Sequence, residues 1–178
     1  TARPDLCFLD EPVKEWEQEG LLEAVYDGRL NPGVFQLTAL TGRFGHLLHA
    51  LREHDTVVTE RSPLSDSHVF AKANLEGMEL AAYQLAFGSL VQAVPEGTVW
   101  HQILLSAPVK VLQTRMELRG RNGESAISNA YLQRLEDLHV AMLESDQVKS
   151  ATTIDAVQEP EDVCARLIGE VNRLAPVR

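Results

Sequence analysis

Apolar positions along the chain fall into two alternating kinds of run. The short runs are Pro4 to Leu9, ending in the charged step Asp10-Glu11, and the β-branched Thr56-Val57-Val58-Thr59, ending in Glu60-Arg61-Ser62-Pro63. Each reads as a buried strand that delivers polar side chains at its C-terminal end. Val99 to Ser106, after the turn signal Pro95-Glu96-Gly97, and the small Thr152-Thr153-Ile154-Asp155 read as a third and a fourth strand. The longer stretches between them carry helical spacing. One runs from Pro12 to Tyr26 with Val13, Trp16, Leu21, Leu22 and Val25 on its apolar face, and the second, about 20 residues, follows Asn31-Pro32-Gly33. Further helices are predicted over Ala73–Val91, Pro108 to Arg119, Asn129–Glu144 and Glu159–Leu174, with a polar break from Gly120 to Ser128. Strands separated by helices of more than about ten residues predict a mostly parallel sheet covered on both faces. Neither a linker nor an internal repeat interrupts the pattern, so residues 1–178 read as a single α/β domain.

Composition narrows the function classes. The 178 residues carry 16 basic and 26 acidic side chains, a formal charge of -10, with 44% hydrophobic residues. That excludes disorder over the whole chain, and no apolar run approaches the roughly 18 residues of a membrane span. The acidity disfavours a nucleic-acid partner, although a local basic pocket can still hold an anion. Cys7 and Cys164 lie far apart in apolar segments and read as buried thiols. His68, His101 and His139 lack ligand spacing, and His46 and His49 lack a third partner, so a zinc site is disfavoured.

In parallel α/β sheets ligands bind beyond the C-terminal strand ends. Asp10, Glu11, Glu60 and Arg61 are all predicted to emerge there. Glu11 suits either a general base toward a hydroxyl or a cap on the following helix. Glu60 and Arg61 suit either a substrate clamp or a structural ion pair. Arg115, Arg119 and Arg121 stand out in an acidic chain. The first two are four apart on one helix face and can point at one polyanion, for which phosphate is the natural guest; the competing reading is a solvated helix end whose arginines suit the dipole.

Four motifs in order give the chain a resemblance. They are Glu11-Pro12-Val13-Lys14-Glu15-Trp16; Phe35-Gln36 with Arg43 seven residues on; Glu60-Arg61-Ser62-Pro63-Leu64-Ser65-Asp66-Ser67-His68-Val69-Phe70; and Leu118-Arg119-Gly120-Arg121-Asn122-Gly123-Glu124. Over nearly its whole length the chain resembles the deoxyribonucleoside kinase family of deoxycytidine, deoxyguanosine and mitochondrial thymidine kinases. The resemblance implies a three-layer, doubly wound parallel sheet of P-loop nucleoside kinase type. It implies transfer of phosphate from ATP, with Mg2+, to a deoxynucleoside 5'-hydroxyl. Glu11 would take the hydroxyl proton, Arg61 would steady hydroxyl and phosphates, and Glu60 would lie near the metal. Gln36 would pair with the base, Arg43 and Asp66 would form the polar end of its pocket, and Trp16 and Phe70 would sandwich the ring. Tyr26 and Glu124 match the pair that holds the sugar 3'-hydroxyl. Arg115, Arg119 and Arg121 match a lid, about residues 115–128, over the donor phosphates. Asp66 favours deoxycytidine or a purine deoxynucleoside, since thymidine-preferring members carry a small residue there.

One departure is large. Nothing in the chain matches the family's opening strand and Gly-rich loop ending in Lys-Ser or Lys-Thr, because Gly120-Arg121-Asn122-Gly123 has neither the lysine nor the hydroxyl. The expected fold therefore lacks its first, central strand and the P-loop, and an upstream or partner segment is expected to complete the sheet. The expectation is an active kinase represented by an incomplete chain; the alternative is a catalytically inactive structural or regulatory subunit of a larger assembly. The resemblance further implies a homodimer built on the Phe35–Leu51 and Ala73–Val91 helices. Cytoplasm and mitochondrion are the compartments that fit.

Overall fold

The structure, a computed structural model, describes residue 3, residues 5–120, residue 124 and residues 127–176. The two first motif strands form as expected: β1 (Cys7–Leu9) pairs in parallel with β2 (Val57–Thr59), Phe8 opposite Val58. Likewise β3 (Gln102–Ser106) pairs in parallel with β4 (Ala151–Asp155), Leu104 opposite Thr153. The four strands are not one sheet. They make two separate two-stranded sheets, β1-β2 and β3-β4. Parallel strands are normally buried on both faces. Here Phe8 is 60% exposed and Leu105 44% exposed. The third strand also starts later than expected, since Val99 lies outside the ladder and is exposed.

Helices fill the rest. The predicted Pro12–Tyr26 helix is two, α1 (Val13–Gln18) and α2 (Leu21–Tyr26), because Gly20 adopts φ 68 and ends the first. The long helix α3 (Pro32–Glu53) is started by Asn31, whose Oδ1 accepts from the backbone N–H of Gly33 at 2.7 Å and Val34 at 3.2 Å. After β2, Ser62 and Ser65 cap each other reciprocally at the start of the short helix α4 (Pro63–Ser65). A π-helix (Asp66–Ala71) and α5 (Lys72–Asn74) continue the same path. Helicity thus begins earlier than the predicted Ala73, and the apolar stretch beyond becomes α6 (Gly77–Val91) after a break at Leu75-Glu76. The remaining helices are α7 (Val109–Arg119), α8 (Asn129–Leu143) and α9 (Pro160–Leu174).

The core is helical. Leu40 and Phe44 of α3, Ala71 of the π-helix, Leu75 and Tyr83 of α6 form one buried cluster, flanked by Leu37, Leu48, Leu80 and Phe87. Phe87 meets Phe44 edge to face at 6.3 Å. The half with β3 and β4 is thinner. Its helix α9 is held by a polar latch, in which Thr152 Oγ1 donates to Glu170 Oε1 at 2.5 Å and the His101 ring contacts Thr152 and Ser150. Arg173 and Thr152 hold the Glu170 carboxyl down to about 2. Arg3 reaches from before β1 to the far end of α9, donating to the Ala175 carbonyl at 2.7 Å. The cysteines depart from expectation: Cys7 is half-buried and Cys164 exposed, because the short β1 lacks cover and Cys164 lies on the solvent side of α9. Among the described residues no helix is long and apolar enough to cross a membrane.

Two stability predictions follow from this packing. Phe44→Ala, in the fully buried cluster, is expected to cost about 3 to 5 kcal/mol in a urea unfolding titration. His68 and His139 are held neutral chiefly by burial, which lowers both from their ordinary range. The unfolded chain therefore binds more protons as pH falls below about 6.5, and stability is complete above that value and declines below it. His139→Leu should flatten the decline when urea midpoints are compared across pH.

Candidate functional site

Both first-half strands end at the same place. Glu11 leaves β1 just ahead of α1, Arg61 leaves β2, Arg43 comes from the middle of α3, and Asp66 opens the π-helix. Their side chains close into one charged chain. Arg43 Nη1 donates to Asp66 Oδ1, Arg43 Nη2 donates to Glu11 Oε1, and Arg61 Nε faces Glu11 Oε2 at 3.3 Å. The group is largely dry: the side chains of Asp66, Glu11 and Arg43 are 1%, 6% and 12% exposed. Two carboxylates and two guanidiniums balance formally, which is the condition for keeping charges in such a place. Burial pushes the Asp66 carboxyl up, and Arg43 offsets this only in part because it is shared with Glu11. Burial works against the Arg43 charge too, and the two carboxylates outweigh it and raise its value.

Local backbone geometry serves these side chains. Arg61 has φ 63, a left-handed conformation that costs a non-glycine residue energy. Thr59 Oγ1 donates to its carbonyl at 2.7 Å, and its guanidinium lies 3.9 Å above the Phe70 ring. The π-helix places Asp66, Ser67, Val69 and Ala71 all in buried positions. An extra residue per turn of this kind recurs at functional sites.

The base-pocket candidates gather around this chain. Gln36 is buried on α3, about two turns before Arg43. Trp16 is buried with the Arg43 guanidinium 5.1 Å from its ring centroid and Phe35 edge-on at 5.3 Å. Phe70 carries Arg61 on one face and His139 edge-on at 5.9 Å. In this arrangement each expected stacking ring has an arginine on its face. Tyr26 closes α2 and is half-buried. Glu60 is exposed at the mouth of a small cleft lined by Asp10, Arg43, Thr59 and Arg61.

The lid candidates separate. Arg115 donates to the carbonyl of Ala156 at 2.7 Å, fastening α7 to the loop after β4. Arg119 pairs with the buried Glu124 at 2.6 and 3.2 Å. Arg121 lies outside the described residues, as do residues 122, 123, 125 and 126 of the 115–128 segment. Sequence reasoning missed Tyr83, whose hydroxyl is buried without a partner and whose phenol is pushed up by burial and then by the Asp66 charge. Its apolar helical setting disguised it as core. His139, which lacks ligand spacing in the sequence, lies edge-on to Phe70, and among the described residues no cluster of His, Cys, Asp and Glu gathers for a metal.

The arrangement holds a carboxylate, braced by arginines, at a strand end beside a buried amide and a second carboxylate. It can accept a proton at one end and pair with a polar ring edge at the other. The chain is 26% identical over 160 residues, 88% of its length and 79% of the relative's, to "Putative kinase protein 143R" of Invertebrate iridescent virus 6. Its fold is similar to that of the deoxyadenosine kinase of M. mycoides solved with the products dCMP and dCDP: the TM-score is 0.70 at 16% identity, covering 94% of this chain and 98% of that one. The deoxynucleoside kinase family profile matches residues 3–175, and the chain belongs to the deoxynucleoside kinase family.

Proposed function

We propose that the protein phosphorylates the 5'-hydroxyl of a deoxynucleoside, with deoxycytidine or a purine deoxynucleoside favoured, using ATP and Mg2+. The observation that carries this reading is the Glu11–Arg43–Asp66 chain: a carboxylate for the hydroxyl and a carboxylate for the base, joined by one guanidinium. Glu11 accepts the hydroxyl proton as the oxygen becomes nucleophilic, and Arg61 steadies the negative charge that develops beside it. Gln36 presents a donor and an acceptor to the base edge, while Asp66 Oδ2, buried without a partner, calls for a donor such as an exocyclic amine. The dCMP and dCDP bound by the M. mycoides enzyme agree with an amino-bearing base.

ATP supplies the transferred phosphoryl group when bound, and Mg2+ neutralises its charge. Glu60 at the end of β2 offers the single carboxylate that a magnesium ion on a phosphate chain commonly takes. Arg119, on the exposed end of α7, can turn from Glu124 to a phosphate, and Tyr26 and Glu124 are the residues assigned to the sugar 3'-hydroxyl. No Gly-rich cradle with Lys-Ser or Lys-Thr stands in this sequence, so the residues here account for the acceptor side of the reaction.

Two partners belong to the same reading. The half-exposed parallel strands favour a further strand that joins β1-β2 to β3-β4. A cavity of about 340 Å³ between Leu64, behind β2, and Trp100 and Ser150, ahead of β3 and β4, lies along that division. Met78, Ala81, Ala82 and Leu85 form an exposed stripe on α6, next to the small exposed residues Thr38, Gly42 and Gly45 of α3, and this face suits a second copy of the chain.

Assays of the full-length protein with each deoxynucleoside and ATP are expected to show turnover that falls about 10²- to 10⁴-fold in Glu11→Gln. Turnover that the substitution leaves unchanged would refute the role of Glu11. Tight nucleoside binding without turnover would favour an inactive, regulatory subunit. Asp66→Ala should move the preference away from amino-bearing bases.

A further inference from the structure

The charged chain is paired at one end and unfinished at the other. Both Glu11 oxygens face guanidiniums, Oε1 from Arg43 and Oε2 from Arg61. At the opposite end Asp66 Oδ2 has no partner, nor has Arg43 Nε, nor the nearby Tyr83 hydroxyl. All three atoms are buried, where an unmet hydrogen bond costs about 1 to 3 kcal/mol. A ligand that brings polar groups to Asp66 and Arg43 therefore gains more than an ordinary contact would give. Each oxygen of Glu11 is, in this arrangement, engaged by a guanidinium before any hydroxyl arrives.

Of the two arginines on Glu11, Arg43 is the one free to move. Arg61 is fixed by its left-handed backbone, by the Thr59 hydroxyl on its carbonyl, and by the Phe70 ring beneath its guanidinium. Arg43 sits on a regular helix and reaches Glu11 and Asp66 with separate nitrogens, one side chain divided between two anions. Its guanidinium lies over Trp16, a flat apolar surface along which a cation can slide without losing its contact. If Arg43 turns wholly to Asp66, Glu11 keeps Arg61 and remains a paired carboxylate, with Oε1 open.

Resting on the proposed kinase reading, we infer that Arg43 is a positioning residue that blocks Glu11 until a nucleobase draws its guanidinium to the Asp66 end, so that base recognition opens the general base. The nucleobase fills the unfinished end, Arg43 completes its hydrogen bonds there, and Oε1 is released to the 5'-hydroxyl. The hydroxyl proton then passes to Oε1 as its oxygen forms the new bond to phosphorus, and the bond to the leaving diphosphate breaks with its electron pair. The same device withholds the base from water and from sugars that carry no nucleobase. Coupling between two such sites commonly amounts to about 5- to 150-fold.

The test compares kcat for the preferred deoxynucleoside with kcat for 1,2-dideoxyribose, which has the same 5'-hydroxyl and no base. In the wild-type full-length protein, adding the free nucleobase at saturation should raise kcat on the base-free sugar about 5- to 150-fold. In Arg43→Met the base-free kcat should rise without the nucleobase, the added nucleobase should have no effect, and the ratio of the two acceptors should narrow accordingly. Arg43→Lys, a cation that cannot span both carboxylates, should narrow it as well. A merely structural role for Arg43 predicts that both acceptors lose kcat together. An unchanged ratio in the variants, or no response of the wild type to free nucleobase, would overturn the inference while nucleoside turnover persists. Absence of turnover with every deoxynucleoside would instead overturn the kinase reading. The wild-type measurement stands even where Arg43→Met does not fold.

Discussion

Three charged side chains with little access to water, Glu11, Arg43 and Asp66, and the more exposed Arg61 that joins them, govern how this chain folds around its site. Glu11, Arg43, Asp66 and Arg61 come from β1, α3, the π-helix and the end of β2, and their pairing fixes where those elements meet. Removing one partner from such a group leaves a buried charge uncompensated, a loss of about 3 to 5 kcal/mol. Replacing the whole group with apolar residues would be cheaper for stability. Its persistence in a region that could have been apolar is therefore better explained by chemistry than by folding. The backbone of Arg61 points the same way, because a left-handed conformation at a side chain that no glycine replaces is tolerated where the side chain must face a set direction.

The two halves of the molecule meet this constraint unequally. Around α3 and α6 a dry cluster centred on Leu40, Phe44 and Tyr83 gives the acceptor side a rigid floor. The β3-β4 half rests on a polar latch at Thr152, Glu170 and Arg173 and on few buried apolar residues. Helix α7 is tied by Arg115 to the loop after β4 and leaves Arg119 at an exposed end. Rigid recognition on one side and a looser cover on the other follow from where the apolar residues were spent.

Much of this was legible in the residues. The strands that end in Asp10-Glu11 and Glu60-Arg61, and the helix begun by Asn31-Pro32, declare themselves through apolar runs and a cap, which are local signals, whereas the helix begun by Ser62-Pro63 went unread. Glu11 and Arg61 stood out because a charge beside a strand end is conspicuous, and Asp66 stood out only through the resemblance. What was hidden depends on distance through space. The π-helix differs from an α-helix by one residue per turn, and Tyr83 appears as core until its hydroxyl is seen near Asp66, whereas the split into two sheets agrees with the expected lack of a central strand. Nor could spacing show that Arg115 and Arg119, set on one helix face, would turn to different partners, a carbonyl and Glu124.

A crystal structure of the protein with its preferred deoxynucleoside tests the central claim most directly. The account predicts the 5'-hydroxyl within hydrogen-bond reach of Glu11, the base edge on Gln36 and Asp66, and the Arg43 guanidinium withdrawn from Glu11. A nucleoside bound elsewhere, with the Glu11–Arg43–Asp66 chain intact, would contradict it.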